Sequence, residues 1–239
     1  MDILTAVVVL ALVYASFVVS ASAGLGGSLL LVPTLALLLG SKEGVALAAL
    51  LLAGNNVMKV IAYRRTLPFR AAAWIAVLVV IGAAIGSTVL VNAPEVAVTV
   101  GIVAMFIASM FSERFEARRV RAGLGPVLAF ASGASSGFSG TSGPLKGVAI
   151  RNLALDRRHF VGAASLVSFA GDATKTAIYS DAGLLGRGSV LTAVAAVPLM
   201  AMGTWTGSLL NRRAGERTFA VLFWSVMGGY TVRLFVLLL

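Results

Sequence analysis

Eight long apolar segments determine what this chain can fold into. They run over residues 3–23, 43–63, 70–91, 95–111, 124–138, 157–179, 187–210 and 217–239. Most reach the roughly 20 residues that a helix needs to cross a hydrocarbon core of about 30 Å. Charged residues make up 12% of the chain, against about a quarter in soluble domains, so the chain cannot cover itself with a solvated exterior. The predicted fold class is therefore an all-α polytopic membrane protein.

Two shorter apolar pieces lie between these segments, over residues 26–39 and 143–153, and each begins with glycine. They are too short to span a bilayer comfortably and read better as half-helices or re-entrant segments. The segment 3–23 has no basic leader and no small-residue cleavage site before polar sequence, so we expect it to be retained as a helix.

The chain resembles itself when it is shifted along its own length. An offset of 116 residues aligns Gly24 with Gly140, Gly27 with Gly143, Asn56 with Asp172, Lys59 with Lys175, and Tyr63 with Tyr179. At an offset of 117, Arg70 meets Arg187 and Gly86 meets Gly203. This pattern predicts a tandem duplication. The first repeat is 1–111, the linker is 112–123 and the second repeat is 124–239, each repeat holding a broken or re-entrant helix pair and three transmembrane helices.

Basic residues are concentrated in four loops, around 64–70, 112–123, 151–159 and 211–217, which hold thirteen of the nineteen lysines and arginines. Because such loops stay in the cytoplasm, they account for the net charge of +10 without a nucleic-acid partner. If all four loops lie in the cytoplasm, each repeat crosses the membrane an odd net number of times. The second repeat then starts on the opposite side from the first, so the two repeats are predicted to be inverted. The protein is then a multi-pass protein of the cytoplasmic membrane, with both termini outside.

The two glycine-rich breaks are the first candidates for a binding site. They read AGLGG over 23–27 and GTSGP over 140–144. In transporters with inverted repeats, half-helix N-termini meet near the bilayer midplane and offer unpaired N–H groups that favour anions. The alternative is that small residues only permit tight helix packing. The candidate residues for a small anionic substrate are Gly26, Gly27, Gly140 and Gly143.

Hydroxyl groups are dense around the second break, at Ser132, Ser135, Ser136, Ser139, Thr141 and Ser142. We expect about half of them to bond back to carbonyls of their own helix. Ser139, Thr141 and Ser142 lie nearest the break and are added to the substrate-binding candidates.

Ionisable residues inside predicted helices are the second group of candidates. Lys59, Lys146 and Lys175, with Asn56 opposite Asp172 in the duplication, are predicted to contribute to substrate binding. Charge at membrane depth is expensive and usually functional, although Lys59 and Lys175 lie close enough to helix ends to snorkel. Asp172 stands three residues before Lys175 on the same helical face. It either neutralises that lysine or gates transport and carries a proton.

Two enzyme classes are alternatives to a transporter. The sequences GFSG and GTSG match the G-x-S-G pattern of rhomboid-like intramembrane serine proteases, but the only histidine, His159, lies between basic residues at a predicted cytoplasmic loop. That is a poor position for the base of a buried serine. An aspartyl protease needs two embedded carboxylates and the chain offers Asp172 alone. We therefore expect no enzyme, and one histidine with no cysteine predicts no metal site.

Two stretches resemble the sulfite exporter TauE/SafE family: AGLGGSLLLVPTLALLLG over Ala23–Gly40, and the longer stretch over Gly137–Tyr179 that begins GFSGTSGPLKG. The resemblance implies a secondary transporter with duplicated halves, associated with sulfite, organosulfonates and other small sulfur-containing anions. It agrees with the anionic substrate that the breaks predict.

The sequence thus predicts a permease for a small anion, with sulfite or an organosulfur compound favoured, working by alternating access between the repeats. No nucleotide-binding motif and no cofactor are expected, while coupling to a proton or to sodium, the direction of transport and homo-oligomer formation stay open. The alternative from another class is a membrane scaffold or assembly subunit that transports nothing.

Overall fold

The computed structural model describes residues 3–23, 27–115, 124–142 and 145–210, and these residues are almost entirely helical. The helices are α1 (Ile3–Ala23), α2 (Ser28–Leu39), α3 (Ser41–Ala62), α4 (Phe69–Asn92), α5 (Glu95–Phe115), α6 (Gly125–Ser139), α7 (Leu145–Arg151), α8 (Arg157–Asp181) and α9 (Arg187–Leu210). A short 3-10 turn, Arg64–Thr66, joins α3 to α4. The predicted all-α class is confirmed. The predicted last segment, 217–239, lies outside the described residues.

The observed helices follow the predicted apolar segments closely, with one clear difference. Helix α5 continues to Phe115, four residues beyond the apolar stretch and into the segment that the sequence placed in the linker. Glutamate and arginine are good helix formers, so a helix need not end where its apolar sequence ends.

Three helices in the described part of the chain are long and apolar enough to cross a membrane: α3, α4 and the 187–206 portion of α9. Helix α8 is longer, at 25 residues, but Asp172 and Lys175 lie within it and lower its hydropathy. A helix of this kind must place its charged face against protein and not against lipid.

Two short helices match the pieces that were expected to be half-spanning. Helix α2 has 12 residues and α7 has 7, or about 18 and 10 Å, well under the hydrocarbon thickness. Gly125 at the start of α6 lies beside Asn152 just after α7, since a Cβ on that glycine would sit 3.2 Å from the Asn152 amide nitrogen. Helices α6 and α7 therefore form a hairpin that returns to the end of the bundle where it began.

Helices α4 and α6 make the most intimate crossing in the described bundle. Gly82 and Gly86 of α4 face Gly133 and Gly137 of α6. A Cβ at Gly86 would lie 2.1 Å from the carbonyl oxygen of Ala134, and the other three glycines meet opposing backbone as closely. Small residues spaced four apart let two membrane helices approach to backbone contact, which is how this pair is held.

The same kind of contact recurs between α1 and α9, the helices that the duplication makes equivalent to α6 and α4. Gly203 aligns with Gly86, and a Cβ there would lie 2.8 Å from the carbonyl oxygen of Tyr14 on α1. The first helix of each predicted repeat thus packs on the fourth helix of the other. This reciprocal exchange supports the duplication.

The equivalent helices α3 and α8 pack against each other at the centre of the described bundle. Thr66, just after the end of α3, packs against Gly162 near the start of α8. Asn56, further back along α3, contacts Asp172, further forward along α8. The two helices are therefore antiparallel. An inverted repeat requires that arrangement; the inversion of the whole repeats stays a prediction that these contacts support.

Candidate functional site

A polar cluster links α3, α6 and α8 inside the bundle; we call Asn56, Asp172, Lys175 and Ser136 the central polar cluster. Asp172 accepts a hydrogen bond from Asn56 Nδ2 at 2.7 Å and pairs with Lys175 Nζ at 2.6 Å. Lys175 Nζ also donates to Ser136 Oγ at 2.8 Å. Lys175 is fully buried, so it does not snorkel to an interface. A charge at this depth is tolerated because it is paired and hydrogen-bonded.

The contact between Asn56 and Asp172 joins two positions that are 116 residues apart, which is the offset of the duplication itself. Each residue therefore touches its own equivalent in the other repeat. In a structure with approximate two-fold symmetry, only residues on the symmetry axis can do this. The central polar cluster is thus built around the predicted axis that relates the two repeats.

Positive charge exceeds negative charge around Asp172. Lys59 of α3 and Lys146 of α7 both interact electrostatically with this carboxylate, in addition to its ion pair with Lys175. Lys146 also lies close enough to Lys59 and Lys175 to be repelled by them. Three ammonium groups thus lie around one carboxylate, and this excess of positive charge favours an anion nearby.

Tyr179 lies one turn after Lys175 on α8 and binds α6. Its hydroxyl donates a hydrogen bond to the carbonyl oxygen of Gly137, and its side chain is fully buried. Because Lys175 contacts Ser136, the neighbouring residue, two successive turns of α8 are tied to one turn of α6. These contacts hold α8 against α6.

The two predicted breaks face each other. Ser28, at the start of α2, lies with its hydroxyl 3.5 Å from that of Thr141 in the second break. Gly140 has φ +76°, a left-handed conformation that favours glycine, and it ends α6 with an N–H bond to the Ser136 carbonyl. Gly27 precedes α2 as its N-cap. Gly26 and Gly143 lie outside the described residues.

Half of the six hydroxyls on α6 and at the break bond back to nearby carbonyls, as expected, and Ser139, a predicted site residue, is one of them. Ser132, Ser135 and Ser139 donate to backbone carbonyls close in sequence. Ser142 and Thr141 are buried at the break. Ser136 was not selected from the sequence, yet its hydroxyl is the one that binds Lys175. Its partner is 39 residues away, so no local spacing identifies it.

A groove of about 620 Å³ opens between α3, α8 and α9; we call it the α3–α8–α9 groove. Lys59 and Tyr63 line its α3 side, and Asn56 lies at its deeper end, where the central polar cluster begins. The remaining lining residues are Asn55, Met58, Ala62, Phe160, Val161, Ala164, Ser165, Ser168, Ala201, Thr204 and Trp205. The groove therefore extends from the exposed Lys59 to Asn56, whose amide contacts Asp172 of the buried ion pair.

The histidine of the protease hypothesis and Ser139, one of its two candidate serines, make other contacts. His159 is exposed at the start of α8, where its Nδ1 lies 2.6 Å from Asp156 Oδ2. The Ser139 hydroxyl donates to the carbonyl oxygens of Ser135 and Thr141. A serine nucleophile needs a base within hydrogen-bond reach, and the described contacts of these two residues do not supply that pairing.

The family model described as "Sulfite exporter TauE/SafE" matches residues 8–234. The chain belongs to the TauE/SafE family. No curated protein and no solved structure matches it. The family resemblance predicted from the two glycine-rich stretches is confirmed, and membership makes the chain a membrane permease with a small anion as its substrate.

Proposed function

We propose that this TauE/SafE protein is a secondary permease that carries sulfite or an organosulfur anion by alternating access between two inverted repeats. The observation that carries the proposal is an asymmetry. The α3–α8–α9 groove is open, whereas the equivalent surfaces in the other half of the duplication are packed shut.

The asymmetry is clearest along α3 and α8. Lys59 is exposed in the groove, but its equivalent, Lys175, is fully buried. Tyr63 is 38% exposed, while its equivalent, Tyr179, is 0% exposed. The same residue types at equivalent positions thus occupy an open and a closed environment at the same time.

The opposite wall of the groove repeats the pattern. Ala164 and Ser168 of α8 are half-buried along the groove. The residues 116 positions earlier, Ala48 and Leu52 of α3, belong to the buried core. A transporter of inverted repeats exposes one such surface at a time, and exchanging the two conformations moves the opening to the other side of the membrane.

The end at which the groove opens is marked by basic residues. Tyr63 is followed by Arg64 and Arg65, and the Thr66 carbonyl oxygen packs against Gly162 near the start of α8, so both basic loops lie at one end of the bundle. Since loops rich in arginine stay in the cytoplasm, we place the opening on the cytoplasmic side. We therefore interpret this conformation as inward-open.

The chemistry of the groove suits an anion. Lys59 offers an ammonium group at the wall, Asn56 offers an amide at the deeper end, and Lys146 adds positive charge nearby. Ammonium and amide donors bind the oxygens of sulfite or a sulfonate through charge-assisted hydrogen bonds. Asp172 stays the candidate for gating or proton transfer, since it holds the lysine beyond the groove.

The test is flux into proteoliposomes containing the purified protein, across sulfite, methanesulfonate, sulfate and acetate, each with and without a pH gradient and a sodium gradient. We expect sulfur oxyanions to move and Lys59→Gln to reduce that flux. The matched control is Thr174→Val, which should retain the flux because the Thr174 hydroxyl donates to the carbonyl of Ala170 in its own helix. If folded protein moves none of these anions and none raises its melting temperature, the permease proposal is wrong and a scaffold role takes its place.

A further inference from the structure

The pair formed by Asn56 and Asp172, which we call the axis pair, differs from every other polar contact in the central cluster. In alternating access, each repeat adopts the conformation that the other had. A contact between two residues is then replaced by the contact between their equivalents, 116 positions away. The axis pair maps onto itself, because its members are each other's equivalents. The Lys175–Ser136 contact, in contrast, belongs to one state and is replaced on exchange.

The two members of the axis pair are not chemically equivalent. Asp172 carries a carboxylate three residues before Lys175 and pairs with it at 2.6 Å. Asn56 stands three residues before Lys59 but carries an amide, which cannot neutralise an ammonium group. A lysine enclosed in a bundle is far less costly with a carboxylate partner than without one. The half that contains Lys175 can therefore bury its lysine against a carboxylate of the same helix. The half that contains Lys59 has only an amide at the equivalent position, so burying Lys59 costs more free energy.

We infer that the asparagine–aspartate difference at the axis pair determines which way the empty transporter faces, and that the substrate anion supplies the counter-charge that lets the cytoplasmic half close over Lys59. Asn56 and Asp172 act as positioning residues in this scheme, through the two lysines. The inference rests on the proposed alternating access. It goes beyond that proposal by identifying what sets the resting state and why an empty carrier does not switch freely.

The direct test exchanges the two side chains in the double variant Asn56→Asp/Asp172→Asn. The carboxylate then stands before Lys59 on the same face of α3, since residues three apart are neighbours on a helix. The axis contact keeps one amide and one carboxylate, so its hydrogen bond is preserved. The cytoplasmic half then has the carboxylate beside its lysine and can close over Lys59. We therefore expect the empty transporter to rest with its opening on the outer side of the membrane.

Two matched cysteine reporters read the orientation, because the natural chain contains no cysteine. Ala164→Cys places a thiol on the open groove wall, and Ala48→Cys places one at the equivalent, buried position. Labelling with a membrane-impermeant maleimide is measured in inside-out and right-side-out vesicles. In the natural background, the first reporter should react from the cytoplasmic side and the second should be protected from both sides.

In the exchanged background we expect the ratio of labelling at position 164 to labelling at position 48 to fall by about tenfold or more. The ratio falls because the inward-open population decreases and the outward-open population increases. Position 48 should now react from the outside. The single variant Asp172→Asn leaves neither lysine with a carboxylate and should bring the ratio to an intermediate value. It also keeps the inference testable if the double variant does not fold. Thr174→Val, as the control on α8, should leave the ratio unchanged.

The outcomes separate this inference from the proposed function. An unchanged ratio in folded Asn56→Asp/Asp172→Asn and in Asp172→Asn, with anion flux present in the parent protein, overturns the inference and leaves the permease intact. Absence of flux in the parent protein, with position 164 reacting equally from both sides, overturns the alternating-access proposal and the inference with it. A reversed ratio supports both.

Discussion

At the scale of single residues, Lys59 and Lys175 show how one residue type acquires two roles. Both lie four residues before a tyrosine on equivalent helices. Lys175 has Asp172 within 2.6 Å and is buried, whereas Lys59 has Asn56 at the corresponding position and is exposed in the groove. The carboxylate offsets the cost of removing the Lys175 ammonium group from water.

Removing the ammonium group at position 175 should be costly. Lys175→Met removes the ion-pair partner of the buried Asp172 and leaves it the hydrogen bond from Asn56. We expect a loss of about 3 kcal/mol in unfolding free energy. Thermal unfolding in detergent measures it. The double variant Lys175→Met/Asp172→Asn removes both charges and should recover most of the stability. If it recovers none, the ion pair is not what stabilises this region.

Gly140 should tolerate no side chain, for a local reason. Its φ of +76° is strained for any L-residue, and a Cβ would meet Val32 at 2.9 Å. Gly140→Ala should lower unfolding free energy by about 1–2 kcal/mol. Gly147→Ala is the control, since a Cβ there meets nothing within 4 Å inside α7. Equal melting temperatures for the two variants would contradict the prediction.

At the scale of secondary-structure elements, helix ends and helix crossings hold the breaks in position. Glu95 at the start of α5 accepts a hydrogen bond from the backbone N–H of Ser41, the first residue of α3, and so caps a helix from a distant part of the chain. The Ser41 hydroxyl lies 2.6 Å from that of Thr99 one turn further along α5. Together with the glycine crossing of α4 and α6, these contacts anchor the helices on which the site residues lie.

The α4–α6 crossing should be sensitive to a single methyl group. Gly86→Ala places a Cβ against the Ala134 backbone, which cannot move independently of its helix. Overpacking of this kind costs about 1–3 kcal/mol. Gly54→Ala, on α3 where a Cβ meets nothing within 4 Å, is the matched control. Circular dichroism melts of the two variants should differ by several degrees, with Gly86→Ala the lower.

At the scale of the whole molecule, the charge distribution and the packing give one consistent orientation. The turn Arg64–Thr66 and the start of α8 lie together at the end where the groove opens. The Ser41–Glu95 contact brings the start of α3 to the start of α5 at the other end. Arginine-rich connections and the open groove thus share one face.

The predicted orientation can be measured directly. Arg65→Cys and Asp181→Cys each place a thiol at an exposed position, at opposite ends of the bundle. We expect an impermeant maleimide to label position 65 only in inside-out vesicles and position 181 only in right-side-out vesicles, because basic loops are retained in the cytoplasm. Labelling of both positions in the same preparation would show that the orientation is wrong.

The sequence alone determined the membrane class, the approximate bounds of the described helices, the two short helices and the family. These depend on local composition and on similarity along the chain, which a single sequence contains. It also identified Lys59, Asp172 and Lys175 as candidates, since isolated charges in apolar segments are conspicuous. The roles of these three residues remain proposals.

Only the tertiary structure decided which of the two equivalent lysines is buried, that Ser136 binds Lys175, and that Asn56 meets Asp172. Each depends on contacts between residues 39 to 116 positions apart and on the separation of whole helices. Two repeats with similar sequences can each be open or closed, because the free energy of closing depends on how the helices pack around a charge. That packing is a property of the assembled bundle and not of either repeat.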